Sequence, residues 1–356
     1  MSPQEESISW QKFSKRCFNL LTKKGLDLNQ YTTLSTVEDI KNIIQLIKAK
    51  RWNIYAVSYG TRVALQLLKE DNALIKAVIL DSVYPTDINE LIVVPELMAN
   101  SFKKLLTTCR LKYFCGKFAP NLEKNISQMV KELNSKPYAF KVQPENYNKE
   151  ITVTINGYRF AWMLYMSMYH WDLIEKMPAA IATAAKHGPA ALKPMVTKYA
   201  QWSLDKTFSP AAYYSVECHD RDKIVSREMY QTEVDKYPYV KQFVGFQWQY
   251  DVCKFWKSGR APKEFFQPTK SSAPILLLNG ELDPVTPWYW AARVAKELKN
   301  GYFIKIPGVG HGAVDSDQCA TKIAIAFFNT PHKRPTLDCE RKWHQPDFKF
   351  DKKALN

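Results

Sequence analysis

The stretch NIYAVSYGTRVAL, residues 53–65, decides the fold. An apolar run leads into Ser58-Tyr59-Gly60, and a run with helical spacing follows directly. The stretch predicts a strand, a tight turn and a helix, with a serine at the turn. This geometry, usually written G-x-S-x-G, projects the serine hydroxyl away from the sheet. Small residues are needed two before and two after the serine, and here they are Ala56 and Gly60.

A serine at a turn is an equally common structural feature, so the motif needs support from the rest of the chain. A catalytic serine requires a base, and the base requires a carboxylate that fixes its tautomer. ILLLNGELDPVTP places Asp283 just after a predicted strand, and YFIKIPGVGHGAVD places His311 just after the next strand. Because this order is the one expected after such a turn, we predict Ser58 as nucleophile, His311 as base and Asp283 as the orienting acid.

Other candidates for these roles fit less well. Asp81 also follows a predicted strand, but it comes too early in the chain to be the acid. The remaining histidines are predicted to be surface or packing residues: His170, His187, His219, His332 and His344.

Strands and helices alternate at both ends of the chain and predict an α/β parallel sheet. The core is expected in residues 1–88 and 268–356, and a large, mainly helical lid in residues 89–267. Within the lid, AFKVQP and EITVTING are able to pair as a hairpin.

Five segments carry a resemblance to a known family: YTTLSTVEDI, WNIYAVSYGTRVAL, AVILDSVYP, LLLNGELDPVTP and GVGHGAV. They resemble the tripeptidyl aminopeptidase and proline iminopeptidase branch of the α/β-hydrolases. VECHDRD and CKFW resemble its lid segments, and SDQC with Cys339 resembles its C-terminal cysteine pair. The resemblance implies a secreted or periplasmic serine exopeptidase that releases short peptides or single residues from free N-termini.

The resemblance also implies two disulfides, Cys218–Cys253 and Cys319–Cys339. In this family lid carboxylates near the catalytic centre bind the α-amino group of the substrate, since a buried ammonium needs a paired anion. We nominate three residues for this role: Glu217, Asp220 and Glu281.

Ahead of the serine turn, the sequence shows only two helices and a linker, whereas an α/β-hydrolase normally has four strands there. The N-terminal strands are therefore expected to be missing, and a further N-terminal segment or a second chain would have to cover the open sheet edge. The backbone N–H of Tyr59 is the expected first oxyanion donor. The family's glycine-rich loop, which supplies the second, is not found, and losing one donor costs about 10²–10³ in rate.

Bulk properties narrow the remaining possibilities. The net charge of +15 admits a nucleic acid or a membrane surface as partner, but the lysines are scattered and indicate a solvated basic surface. We expect a peptide substrate, no nucleic acid, no membrane insertion, no metal and no cofactor. Of seven cysteines, Cys109 and Cys115 lie six apart, and such local pairs suit an oxidising compartment. An esterase and a catalytically impaired scaffold remain the alternative functions.

Overall fold

The computed structural model describes residues 3–48, 50–70, 74–145, 147–241, 249–336 and 338–350. Within these residues six strands form two sheets: β1 (Trp52–Val57), β2 (Ile75–Asp81), β3 (Tyr138–Val142), β4 (Ile151–Ile155), β5 (Ile275–Gly280) and β6 (Gly301–Ile306). The larger sheet has the order β1-β2-β5-β6, and all of its neighbouring strands are parallel. Parallel order brings the carboxyl ends of these strands to one edge, where Ser58, Asp283 and His311 follow.

The helices form three groups along the chain. The N-terminal part holds α1 (Pro3–Lys23), α2 (Thr33–Ile47) and α3 (Tyr59–Leu68). Between β2 and β5 lie α4 (Glu90–Leu111), α5 (Tyr113–Phe118), α6 (Leu122–Ser135), α7 (Gly157–Ser167), α8 (Trp171–His187), α9 (Lys193–Ser203), α10 (Pro210–His219), α11 (Arg227–Asp235), α12 (Pro238–Lys241) and α13 (Gln249–Phe255). The C-terminal part holds α14 (Trp288–Glu297), α15 (Ala313–Ser316) and α16 (Gln318–Asn329).

Helices cover both faces of the larger sheet. On one face the apolar side chains of α3 and α14 pack on β2 and β5, as Val63, Leu67 and Val294 illustrate. On the other face α16 buries Ile323 and Phe327 against the same strands. Strands β2 and β5 are therefore buried almost completely, which explains why both read as continuous apolar runs.

Strand β1 lies at the edge of this sheet. It pairs only with β2, and the described part of the chain places no strand beyond it. Its side chains alternate in burial, and Tyr55 is 42% exposed.

Between β2 and β5 the chain is mainly helical and contributes most of a large apolar cluster, which Leu282, Trp290 and Phe348 join from the C-terminal part. The predicted hairpin is confirmed, because β3 pairs with β4 in antiparallel orientation. Three disulfides are present: Cys109–Cys115, Cys218–Cys253 and Cys319–Cys339. The last two confirm the pairs that the resemblance implied, and Cys17 is a free thiol.

A membrane-spanning helix would need a long and apolar segment, and the described helices include none that qualifies.

Candidate active site

Ser58 stands at the sharp turn between β1 and α3. Its backbone is in a strained left-handed conformation, with φ of 56° and ψ of −127°. Such strain in a residue with a side chain persists only where the surroundings enforce it, and it is common at functional sites. The predicted neighbours Ala56 and Gly60 do face each other. A Cβ at Gly60 would lie 3.9 Å from the Ala56 Cβ, an ordinary contact, so the turn leaves room for the alanine.

His311 and Asp283 form a hydrogen-bonded pair. The imidazole Nδ1 lies 2.9 Å from Oδ2 of Asp283, and both side chains are largely buried. The second carboxylate oxygen accepts the backbone N–H groups of Val285 and Thr286 at 3.0 and 2.9 Å. The Thr286 hydroxyl donates to Oδ2 at 2.8 Å. These bonds fix the tautomer of His311, so Nε2 is the nitrogen left for the serine.

Electrostatics in this pair favour the ionised carboxylate. Burial by itself raises the pKa of Asp283, but His311 and the hydrogen bonds outweigh burial and hold the pKa below its usual value. Burial lowers the pKa of His311, but the charges of Asp283 and Asp81 outweigh it, so the net pKa is raised. An imidazolium formed during catalysis is therefore stabilised in place.

Two glycines let the loops after β5 and β6 meet. A side chain at Gly280 would collide with the backbone of Val309 and Gly310, and one at Gly310 would collide with Met168. The His311 loop therefore packs closely against the end of β5 and against Met168, which follows α7. The His311 N–H donates to the Tyr169 carbonyl at 3.1 Å, and the two rings are 4.8 Å apart.

Asp81, at the end of β2, connects the two halves of the site. Its carbonyl accepts the backbone N–H of Ser58 at 3.0 Å. Its buried carboxylate accepts the N–H groups of Ala313 and Val314, each at 2.9 Å, and the Tyr55 hydroxyl at 3.1 Å. Asp81 therefore holds the turn of the nucleophile and the loop of the base together, although it is not the orienting acid. The sequence predicts that Asp81 follows a strand, but it does not predict that Asp81 connects these two segments.

Ser82 extends the same connection. Its hydroxyl accepts the Gly312 N–H at 2.9 Å, and its own φ of 58° is left-handed. Ser58 Oγ and His311 share no hydrogen bond within the described structure, and such contacts often form only in the substrate complex.

The oxyanion side of the site is built on the start of α3. Tyr59 is the first helical residue, so its N–H has no acceptor within the helix, as the predicted oxyanion donor requires. Its hydroxyl bonds to Thr33 at 2.7 Å, which ties the turn to α2. Burial raises the pKa of Tyr59 to about 12.

Two of the nominated lid carboxylates lie near this turn. The negative charges of Asp220 and Glu217 reach Tyr59 and contribute to its raised pKa. Both carboxylates are buried and partnered: Glu217 pairs with Arg221 at 3.2 Å, and Asp220 contacts Nδ1 of His219 at 2.7 Å.

Glu281, the third nominee, has different surroundings. It pairs with Lys104 at 2.8 Å and Lys305 at 3.5 Å, and it accepts a hydrogen bond from Gln345. Those two ammonium groups leave little negative charge on Glu281 for a substrate amine.

Glu90, which the sequence did not single out, joins the lid carboxylates instead. It begins α4, and the neighbouring Asn89 donates to Asp222 at 3.1 Å and to the Lys223 carbonyl at 3.2 Å. Burial, reinforced by the charge of Glu217, raises the pKa of Glu90 to about 7.

The buried side chain of Arg62 connects the segment just before Glu90 to the core. Arg62 of α3 donates to the Ile88 carbonyl at 2.8 Å and stacks 3.7 Å from the centre of the Tyr84 ring. In turn the Tyr84 N–H bonds to Thr61, whose hydroxyl donates to the Ser58 carbonyl at 2.6 Å. These contacts therefore connect the serine turn with Ile88, two residues before Glu90.

A strained serine and an Asp–His pair therefore lie at one edge of a parallel sheet, as the predicted catalytic site requires. Two family models match the chain: alpha/beta hydrolase fold over residues 12–128, and TAP-like protein over residues 241–339. The two matches confirm the predicted fold class, an α/β-hydrolase, and the resemblance to TAP-like proteins.

Solved structures with similar folds are distant in sequence. An alpha/beta hydrolase enzyme, MGS-M2, from a Medee basin deep-sea metagenome library is 14% identical over 87% of this chain and 74% of its own, with a TM-score of 0.37. An esterase from Exiguobacterium antarcticum is 10% identical over 84% and 75%, with a TM-score of 0.36. No curated protein matches the chain in sequence.

Among the described residues, no group of His, Cys, Asp and Glu side chains has the arrangement of a metal site.

Proposed function

We propose that this hydrolase is a serine aminopeptidase that releases short peptides or single residues from free N-termini. The observation that carries the proposal is a group of carboxylates whose charges act on Tyr59, the residue after Ser58, or on one another: Glu217 and Asp220, which are buried, and Glu90, which is half-buried. A carboxylate taken out of water favours an ammonium group as its partner. The free amino end of a peptide would then lie under the lid, with its scissile carbonyl at Ser58.

The chemistry follows from the geometry of the site. The Ser58 hydroxyl attacks the amide carbonyl while His311 takes its proton, and the Tyr59 N–H stabilises the oxyanion. His311 then gives the proton to the leaving amine, which breaks the C–N bond and leaves an acyl group on Ser58. Water attacks this ester with His311 again as base, and the N-terminal fragment is released.

The three disulfides support a place in an oxidising compartment. We propose a secreted or periplasmic location on this ground. Expression in a reducing and in an oxidising compartment, followed by thiol counting, tests it. The proposal requires full disulfide formation and full stability only in the oxidising compartment.

A fluorophosphonate probe tests the nucleophile directly. We expect it to label the wild type at Ser58 and not to label Ser58→Ala, while Ser203→Ala, at an exposed serine of α9, labels normally. Labelling that persists in Ser58→Ala would place the nucleophile elsewhere.

A substrate panel then tests the aminopeptidase assignment. Aminoacyl and tripeptidyl amides should be cleaved, and the same amides with acetylated N-termini should not, because they lack the ammonium. Equal turnover of free and acetylated amides would contradict the role of the carboxylates. Turnover of short-chain esters alone would identify an esterase instead.

A further inference from the structure

The junction of α4 and α5 on the lid surface exposes three large apolar side chains. Cys109 and Cys115, both buried, form a disulfide that closes it, and we call residues 109–118 the stapled loop. Within it Leu111 is 78% exposed, Tyr113 73% and Phe114 58%. Apolar side chains exposed together in this way indicate an interaction surface more often than isolated ones do.

The stapled loop is anchored to the C-terminal segment of the chain. Lys112 donates to the Gln345 carbonyl at 3.2 Å, and Phe118 packs on Phe350 with ring centroids 5.6 Å apart. The Phe114 ring stacks on Phe118 at 6.3 Å. Because the disulfide and these contacts already order the loop, little conformational entropy remains to be lost when the exposed side chains bind a partner.

Basic residues alternate with the apolar ones. Arg110 and Lys117 are exposed, and the Lys117 ammonium lies 5.9 Å from the centre of the Tyr113 ring. Lys112 has a carboxylate neighbour, Asp347, at 3.5 Å. The loop itself, RLKYFCGKF after Cys109, has no acidic residue. Its charge therefore complements an anionic surface.

We propose that the stapled loop docks the protein on anionic lipid bilayers. Leu111, Tyr113 and Phe114 enter the headgroup region, where amphipathic rings and aliphatic side chains are stabilised. Arg110 and Lys117 contact lipid phosphates, with their aliphatic stems along the apolar surface. The protein lies on the membrane and does not span it. This docking is independent of the peptidase activity.

Cosedimentation with vesicles tests the proposal. We expect the wild-type protein to bind vesicles of phosphatidylcholine with phosphatidylglycerol far better than vesicles of phosphatidylcholine alone. Raising the salt concentration should weaken binding, because screening removes the phosphate contacts. Leu111→Ser with Tyr113→Ser and Phe114→Ser should lower the partition coefficient at least tenfold. Arg110→Gln with Lys117→Gln should lower it about fivefold for each charge removed.

Matched variants elsewhere on the surface distinguish docking through the stapled loop from nonspecific adsorption to the vesicles. Ile43→Ser with Leu46→Ser and Ile47→Ser removes three exposed apolar side chains of α2, and Lys50→Gln with Arg51→Gln removes two exposed charges. Both should bind vesicles as the wild type does, and every variant should keep its thermal unfolding midpoint. Equal binding by the stapled-loop variants and the wild type, or no binding of the wild type to anionic vesicles, would overturn the proposal.

Discussion

The two sides of the catalytic site differ in how firmly the fold holds them. On the side of β5 and β6, Asp283 receives hydrogen bonds from Val285, Thr286 and His311, and β5 is buried along its whole length. On the side of β1, Ser58 is half-buried, and its strand has one neighbour and an exposed Tyr55. The acid–base pair is thus preorganised by its own loops, whereas the nucleophile depends on β2.

This difference makes Asp81 the residue on which the alignment of the site depends. Its carbonyl holds Ser58, and its carboxylate holds the residues that follow His311. A change on the acid–base side should therefore act through chemistry, and a change at Asp81 should act through geometry and through the charge near His311.

The largest effect is expected on the rigid side. Asp283→Asn keeps the shape but presents an amide N–H to His311, which favours the wrong tautomer. By analogy with the same substitution in serine proteases, kcat should fall about 10⁴-fold. The pKa of His311 should also drop, so the acid limb of the kcat/KM profile moves to lower pH. Steady-state kinetics measured over pH 4 to 9 detect both effects, because this range extends about 2.5 pH units on either side of the pKa of an ordinary histidine.

Asp87→Asn serves as the control for this substitution. Asp87 forms an exposed ion pair with Arg293 at 2.6 Å, away from the catalytic loops. Its loss should leave kcat and the pH profile unchanged. An Asp283→Asn protein that retains more than a tenth of the wild-type kcat would contradict the assigned acid.

The next largest effect is expected at the junction. Asp81→Asn replaces an acceptor by an N–H₂ group that opposes the N–H of Ala313 or Val314. The His311 loop should shift, and kcat should fall about 10²-fold, as misplacement of a catalytic group by about 1 Å does. Because Asp81 helps to raise the pKa of His311, the acid limb should move to lower pH as well.

Tyr55→Phe provides a graded comparison. It removes only the third donor to the Asp81 carboxylate and leaves both backbone contacts in place. Its kcat should stay within a few-fold of the wild-type value. A similar loss in the two variants would indicate that Asp81 acts through the edge strand and not through the His311 loop.

A smaller effect is expected at the carboxylates under the lid. Because burial and Glu217 raise the pKa of Glu90 to about 7, Glu90 is largely protonated at pH 6 and ionised at pH 8. An ionised Glu90 binds an ammonium better, so KM for free N-terminal amides should fall as pH rises through 7. In Glu90→Gln, KM should lose this dependence and stay about tenfold higher, the cost of one charge-assisted hydrogen bond.

A second glutamine variant serves as the control for this experiment. Glu132→Gln, at an exposed position of α6, should keep the wild-type pH dependence. The substrate amine itself titrates near pH 8, so only the limb near pH 7 belongs to Glu90. An unchanged limb in Glu90→Gln would show that another group controls binding.

The contrast between the two sides also describes what the sequence could predict. Ser58, Asp283 and His311 each follow an apolar strand and stand in a fixed chain order, so local patterns identify them. The roles of Asp81 and Glu90 could not be predicted in this way. Asp81 binds backbone groups more than two hundred residues away, and Glu90 reads as an ordinary acidic residue in a first helical turn.

Glu281 illustrates the reverse case, in which a local pattern nominates a residue and the fold gives it other partners. It stands beside the predicted acid in the sequence, which made it a plausible amine ligand. In the fold its side chain points to Lys104 of α4 and Lys305 of β6. Neighbours in sequence on a sharp loop face different surroundings, and only the long-range packing decides which of them reaches the site.

The smallest effect on stability is expected at the open edge of β1, which we propose is covered by a strand from a second chain or from a further N-terminal segment. Asn53→Lys adds a charge to an exposed position of this edge strand and should change the free energy of unfolding by less than about 0.5 kcal/mol. The same charge should repel an incoming strand, since edge lysines prevent such pairing.

Sedimentation velocity over a range of concentrations distinguishes the two sources of the strand. If a second copy covers the edge, the wild-type protein should self-associate, Asn53→Lys should not, and Asn19→Lys, at an exposed position of α1, should behave as the wild type does. If all three are monomeric, a second copy does not cover the edge, and the proposal then requires the N-terminal segment. Adding that segment should then increase fluorophosphonate labelling of Ser58, because a second neighbour for β1 would hold the nucleophile as firmly as β5 and β6 already hold its partners.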